Sequence, residues 1–218
     1  MAAVLVLPGM ITDPQPPSLI VAILGAGPAG MSCANACLSF GLTPVVIERG
    51  DHAGGAQRAN FHPNLWMLGA PGESGETMTR RMAEHYTSLP VQTRYRTEVA
   101  HVEGKGAGFN LTFMAHGGSP DPLHARAIVL ATGMRPRATP ELEQLAGASR
   151  GVIIGPLSDT IRDGIRDARV LILGGGDNAL DHALFLAERG NRVVVCARRA
   201  FSARAGFLAD CARRPEIE

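Results

Sequence analysis

The chain has 218 residues, of which 45% are apolar and 19% charged. That length and balance suit one large or two small domains with a substantial core and exclude wholesale disorder. Twenty-one basic against 20 acidic residues leave a net charge of +1, which gives no support to a nucleic-acid or anionic-lipid partner.

Residues 1–18 begin apolar but carry no Lys or Arg, and they run into Asp13-Pro14-Gln15-Pro16-Pro17. This is a poor secretory signal, and no run reaches the ~20 apolar residues of a membrane span. A disordered leader and a cytoplasmic protein are expected. From Leu19 to Leu24 the chain is continuously apolar, as in a strand covered on both faces. A helix is predicted from Pro28 to Phe40, since Pro28 suits a first turn and Gly41 an end. Pro44-Val45-Val46-Ile47-Glu48 reads as a second buried strand, which closes a β-α-β unit.

Residues 50–73, rich in Gly, Pro, His and Asn, read as a long loop, of a length that is usually functional or disordered. Met78, Met82, Tyr86 and Leu89 share one helical face. Segments at Val91-Gln92-Thr93, 99–102 and 109–113 alternate and break at glycines, which predicts a meander of short strands. Ala127-Ile128-Val129-Leu130-Ala131 reads as buried strand again. The stretch that follows, with Pro136, Pro140 and Pro156, reads as a connector, and Arg169-Val170-Leu171-Ile172-Leu173 opens a new apolar strand.

That strand begins an internal repeat. An ungapped shift of 149 positions lays Val21 on Val170, Ile23 on Ile172, Gly25 on Gly174, Gly27 on Gly176 and Gly41 on Gly190. A supersecondary unit repeated at one fixed offset is far more specific than either copy alone. The first copy carries Gly25-Ala26-Gly27-Pro28-Ala29-Gly30. There Gly25 allows the tight turn, Gly27 leaves room for a pyrophosphate, and Gly30 allows close helix–strand packing. Glu48 ends the next strand, where a carboxylate accepts bonds from ribose hydroxyls and repels a 2′-phosphate. The second copy carries Gly174-Gly175-Gly176-Asp177-Asn178-Ala179. The position equivalent to Glu48 is Ala197, and Arg198, Arg199 and nearby Arg204 follow it. Guanidinium groups there favour NADP(H) through its 2′-phosphate. Two nested units with opposite ribose signals imply FAD at the first and a nicotinamide at the second.

These segments, with Gly54-Gly55-Ala56-Gln57 and Ala131-Thr132-Gly133, resemble the thioredoxin-reductase-like branch of the pyridine-nucleotide flavoprotein reductases. The resemblance runs from about residue 19 to the C-terminus. It implies that Gly54, Gly55 and Gln57 lie near the flavin ring and that 131–133 lie near the junction of the two domains. Two departures stand out. The family's Cys-x-x-Cys would fall near Leu157-Ser158-Asp159-Thr160, where no cysteine occurs. The family also continues past its arginine pair to a strand ending in Gly-Asp that holds FAD, whereas here 19 residues follow Arg199.

The expected fold is therefore α/β: two nested Rossmann-like units with a small β-meander, C-terminally incomplete. The expected division is a leader at 1–18, an FAD-binding domain at 19–135, a connector at 136–168 and a partial NADP-binding domain at 169–218. The expected function is hydride acceptance from NADPH by FAD, with electrons passed to a small-molecule or protein acceptor. Three alternatives stay open: a non-catalytic nucleotide-binding remnant, a single-cofactor FAD monooxygenase or amine oxidase, and, for oligomeric state, a homodimer. No metal site is expected, because His85, His101, His116, His124 and His182 have no ligand spacing. His52 and His62 are read as surface loop residues, Asp181 and Glu188 as a solvated helix face, Cys33 and Cys37 as small buried residues on one helix face, and Cys196 as core.

Overall fold

The architecture comes from a computed structural model that describes residues 19–64, 67–114, 121–149, 151–155 and 158–218. The expected leader at 1–18 lies outside the described residues, as does Leu157. The chain divides into two compact units. The first runs to Arg58 and then from Leu65 to Gly133; the second comprises Ala59–Asn64 and Met134–Glu218. The segment 59–64, expected inside the first domain, thus packs with the second unit.

In the first unit, β1 (Ile20–Leu24), α1 (Pro28–Ser39) and β2 (Thr43–Ile47) form the β-α-β motif read from the sequence. The strands pair in parallel, Leu24 opposite Ile47. Side chains alternate across this sheet, so each face has its own core. Val21, Ile23 and Val46 pack under α1 and under Tyr86 of α2 (Gly75–Thr87). Ala22, Val45 and Ile47 pack on the other face, against Leu111, Phe113, Leu123 and Ala125. Those four come from an antiparallel meander of β4 (Val99–Lys105), β5 (Gly108–Phe113) and β6 (Leu123–Ala125), with β3 (Gln92–Arg94) preceding it in the chain. A helix layer on one face and a meander on the other explain why β1 is apolar without interruption. Helix α2 starts at Ser74, whose hydroxyl accepts the Thr77 N–H at 3.1 Å, a side-chain N-cap.

Two expectations fail here. Val91–Thr93 does not begin the meander: β3 joins the parallel sheet beside β2, giving the order β3-β2-β1-β7. The last of these strands, β7 (Ala127–Leu130), is not buried. It is a sheet edge, and Leu130 is 76% exposed.

The second unit repeats the motif as β8 (Arg169–Leu173), α4 (Asp177–Ala187) and β9 (Arg192–Cys196). Its register is the first one displaced by the same offset, Leu173 opposite Cys196. The loop closure is repeated as well: Gly25 N–H donates to Ile47 O at 2.8 Å, and Gly174 N–H to Cys196 O at 2.9 Å. Val170, Ile172, Val193 and Val195 pack against α4 and α5 (Ala205–Ala212). The opposite face of this two-stranded sheet is open, with Leu171, Leu173 and Val194 exposed. Cys196 shares that face, so it is exposed rather than core. Cys37 is buried in α1 and Cys33 half-buried beside it; burial pushes the Cys37 thiol up, and Cys33 pushes it further. Residues 216–218 line the outer edge of β9, where Val193 N–H donates to Glu216 O at 2.8 Å. The connector is not structureless, since it holds α3 (Pro140–Ala148) and a π-helical turn at Thr160–Gly164.

Asn191 ties the second unit together. It is fully buried. Its Nδ2 donates to Leu186 O at 2.8 Å and Ile165 O at 3.2 Å, and its Oδ1 accepts the Ala168 N–H at 3.0 Å. One amide thereby satisfies backbone groups from three segments, as a buried polar side chain must.

Candidate nucleotide-binding sites

The first site is built almost entirely from backbone. Gly25 has φ +110°, and a Cβ there would lie 2.4 Å from Ala131 O. At Gly30 a Cβ would fall 1.9 Å from Gly25 O. Only glycine fits either position without moving main chain. Gly27 faces open space instead, with nothing nearer than 4.0 Å to an added Cβ. The second glycine pair closes on the first loop: Gly54 N–H donates to Ala26 O at 2.8 Å, and a Cβ on Gly55 would sit 3.1 Å from Gly27 Cα. Three segments singled out in the sequence, at 25–30, 54–55 and 131–133, therefore meet around one cavity-facing turn.

Glu48 lies one residue beyond β2 and points back to this turn. Its Oε2 accepts the Ala26 N–H at 2.7 Å, and its Oε1 accepts the Gly50 N–H at 2.6 Å. Tyr95 stands close enough that Glu48, after burial, pushes its phenol up. Pro28 and Ala29 occupy the first turn of α1, which starts at Gly27 with no side-chain cap. Its first N–H groups are thus left for an anion at the positive end of the helix. Gln57 lies half-buried in the short 3-10 turn Gly55–Ala59. The sequence reading missed Thr79: it is fully buried in α2, and its methyl would be 2.9 Å from a Cβ on Gly54.

The second loop has the same backbone logic with different side chains. Helix α4 starts at Gly176, again without a side-chain cap. Asp177 and Asn178 form its first turn, and Ala179 replaces the third glycine, its Cβ 3.3 Å from where one on Gly174 would lie. The middle residue Gly175, not singled out from the sequence, is needed as glycine: an added Cβ would lie 2.8 Å from Ala197 Cβ and 3.3 Å from the Phe201 ring. The third consecutive Gly was its only signal. Arg198 and Arg199 are exposed in the turn after β9, and neither has an ion-pair partner among the described residues. Arg204 is held by Asp177. Its Nε donates to Asp177 Oδ2 at 2.6 Å and its backbone N–H to Asp177 Oδ1 at 2.8 Å.

His62 and Asp181 depart from the sequence reading. His62 is 7% exposed, not a surface loop residue. It stacks on Phe61 and lies against Phe185, with its Nε2 3.3 Å from His182 Nε2. Burial, then His182 and Arg189, push its pKa down to about 4. Asp181 is not simply solvated, because its Oδ2 is 3.3 Å from His62 Nδ1, and burial pushes its carboxyl up. No sequence pattern announced the meeting of His62 with His182, which joins residues 120 apart. His52 is exposed and pairs with Asp51, as a surface residue. Glu188 is also exposed and pairs with Arg214.

Each of the two parallel β-α-β units opens a helix with a glycine loop at the carboxyl end of its first strand, the arrangement of the Rossmann-like nucleotide-binding folds. The chain belongs to the pyridine nucleotide-disulphide oxidoreductase family, which it matches over residues 20–213. It is similar to the ferredoxin–NADP reductase of Gluconobacter oxydans, at 30% identity over 87% of this chain and 56% of that protein. It also resembles the one from Gluconacetobacter diazotrophicus, at 28% identity over 87% and 55%. Among solved structures it resembles Lactococcus lactis thioredoxin reductase in its FR conformation, with TM-score 0.75 and 26% identity, covering 92% of this chain and 63% of that one. The chain thus spans about half the length of the curated relatives it matches. Among the described residues no helix is long and apolar enough to cross a membrane, and no cluster of three metal-ligating side chains occurs.

Proposed function

We propose that the chain holds FAD on the first glycine loop and NADP(H) on the second, as the nucleotide-binding part of a flavoprotein oxidoreductase. The observation that carries this reading is the duplicated loop with opposite charge at its sugar-reading position: Glu48 in one copy, Arg198 and Arg199 in the other. The first cradle fits a dinucleotide, because Gly25, Gly30, Gly54 and Gly55 stand where a Cβ would crowd its neighbours, and Gly27 leaves its own face open. Helix α1 offers the N–H groups of Ala29 and Gly30 to a pyrophosphate; Pro28 has none, and Met31 N–H already donates to Gly27 O at 2.9 Å. Glu48 orients the ribose, and 131–133 close the cradle from beside β1. In the second unit Gly174, Gly176, Asn178 and Ala179 form the phosphate turn, and Arg198 and Arg199 select the 2′-phosphate.

FAD, when bound, supplies two-electron acceptance from a nicotinamide and onward transfer to an acceptor. The chain's own contribution is to hold and orient. It is read as offering no dithiol at that place: Leu157 and Thr160 stand where the two cysteines of the family's pair would fall. Cys33 and Cys37 lie in α1, Cys37 in its buried core. The acceptor is therefore read as a small molecule or another protein's redox centre. The test is to load the purified chain with FAD, record its visible spectrum and add NADPH. Flavin bands that bleach support the reading. A chain that stays colourless with FAD refutes it, and one that binds both nucleotides without bleaching is a nucleotide-binding module.

A further inference from the structure

We infer that Asp177 and Arg204 form a strap that seats the arginine turn on the second glycine loop, so that Arg204 governs nucleotide choice as a positioning residue and not as a phosphate ligand. The inference rests on the assignment of that loop to NADP(H) and concerns how its selectivity is built.

Asp177 is the first residue of α4, and Arg204 immediately precedes α5. They are 27 residues apart, yet the carboxylate takes both the backbone N–H and the Nε–H of Arg204, one on each oxygen. The guanidinium carbon stands 5.3 Å from the Phe207 ring centroid, so the head group is held on a second side. Between the two ends of the strap, Ser202 N–H donates to Gly175 O at 2.8 Å. Ala197 and Phe201 lie directly over Gly175. The turn is thus fastened to the loop at three places, and Arg198 and Arg199 are carried by it. A carboxylate at the start of a phosphate-binding helix would repel its ligand. Arg204 cancels that charge while it fixes the turn.

The test titrates the full chain and four variants with two probes, adenosine 2′,5′-bisphosphate and adenosine 5′-monophosphate, by calorimetry. The readout is the ratio of the two affinities, which a loss of folded protein lowers equally in both terms. With a strap, Asp177→Asn and Arg204→Ala each reduce the preference for the bisphosphate by about fivefold, within the range for one charge-assisted contact. The double variant is no worse than either single one, because both remove the same link. Arg204→Lys does not rescue, since lysine has no Nε–H fork to meet the carboxylate. If Arg204 instead touches the phosphate, Asp177→Asn frees it and tightens the bisphosphate, and Arg204→Lys keeps most of the preference; either result overturns the inference. Ratios unchanged in all variants overturn it too. A wild-type chain with no preference between the probes removes the NADP(H) assignment itself and the strap with it, a failure visible before any variant is made.

Discussion

Acidification should weaken the second unit through His62, and the size of the effect follows from its burial. The pKa of His62 falls from an ordinary 6.5 to about 4 in the fold. Between those values the unfolded chain binds a proton that the folded chain refuses, so stability rises with pH across that window. The contribution is fully present above about pH 6.5 and is lost as pH falls toward 4. At 1.36 kcal/mol per unit, the shift corresponds to about 3 kcal/mol. Asp181 acts in the opposite sense, because its carboxyl is raised: its contribution is lost as pH rises past the ordinary carboxylate value. The comparison is therefore made in an Asp181→Asn background. Urea unfolding of Asp181→Asn and of Asp181→Asn with His62→Gln, followed from pH 8 to pH 4, isolates the imidazole. The stability difference between the two chains should be flat above pH 7. It should then shrink by about 3 kcal/mol on the way to pH 4. A difference that stays constant would show that His62 titrates in the fold as it does in water, and one that grows on acidification would show its pKa raised by the fold; either would refute the burial argument.

Other outcomes follow from the same geometry. Gly30→Ala drives a Cβ to 1.9 Å from the Gly25 carbonyl, which neither backbone can relieve. It should cost at least about 3 kcal/mol and abolish FAD retention, read by flavin absorbance after gel filtration. Glu48→Gln keeps the shape but removes the anion that accepts the Ala26 and Gly50 N–H groups, so FAD affinity should fall about tenfold in a fluorescence titration. Arg198→Glu with Arg199→Glu should weaken NADPH far more than NADH; equal losses would undo the 2′-phosphate assignment. Asn191→Ala strands the Ala168 N–H and the Ile165 carbonyl in the second unit, and its thermal unfolding should report a loss of about 2–4 kcal/mol.

The β-α-β units were legible because two strong signals coincided: continuous apolar strands and glycine spacing that only a turn onto a helix explains. The fixed offset of the repeat extends to the strand register, Leu24 with Ile47 and Leu173 with Cys196. What the sequence hid was environment. Val170 to Leu173 and Ala127 to Leu130 look as buried as β1, yet apolar composition reports only what a strand can bury, not what covers it. Gln92–Arg94 is short and polar, so alternation could not tell a meander strand from the edge of the parallel sheet. His62 and His182 meet through tertiary folding alone. Arg204 is one of 20 arginines, and nothing local marked it as the partner of Asp177.

The parallel order of the first sheet also sets a timetable. During synthesis β1, α1 and β2 leave the ribosome together, but β7, which flanks β1 on its other side, emerges some eighty residues later. At about 5–20 residues per second the nascent chain spends roughly 4–16 s with the edge of β1 unpaired. Over that interval a holdase has the most to protect.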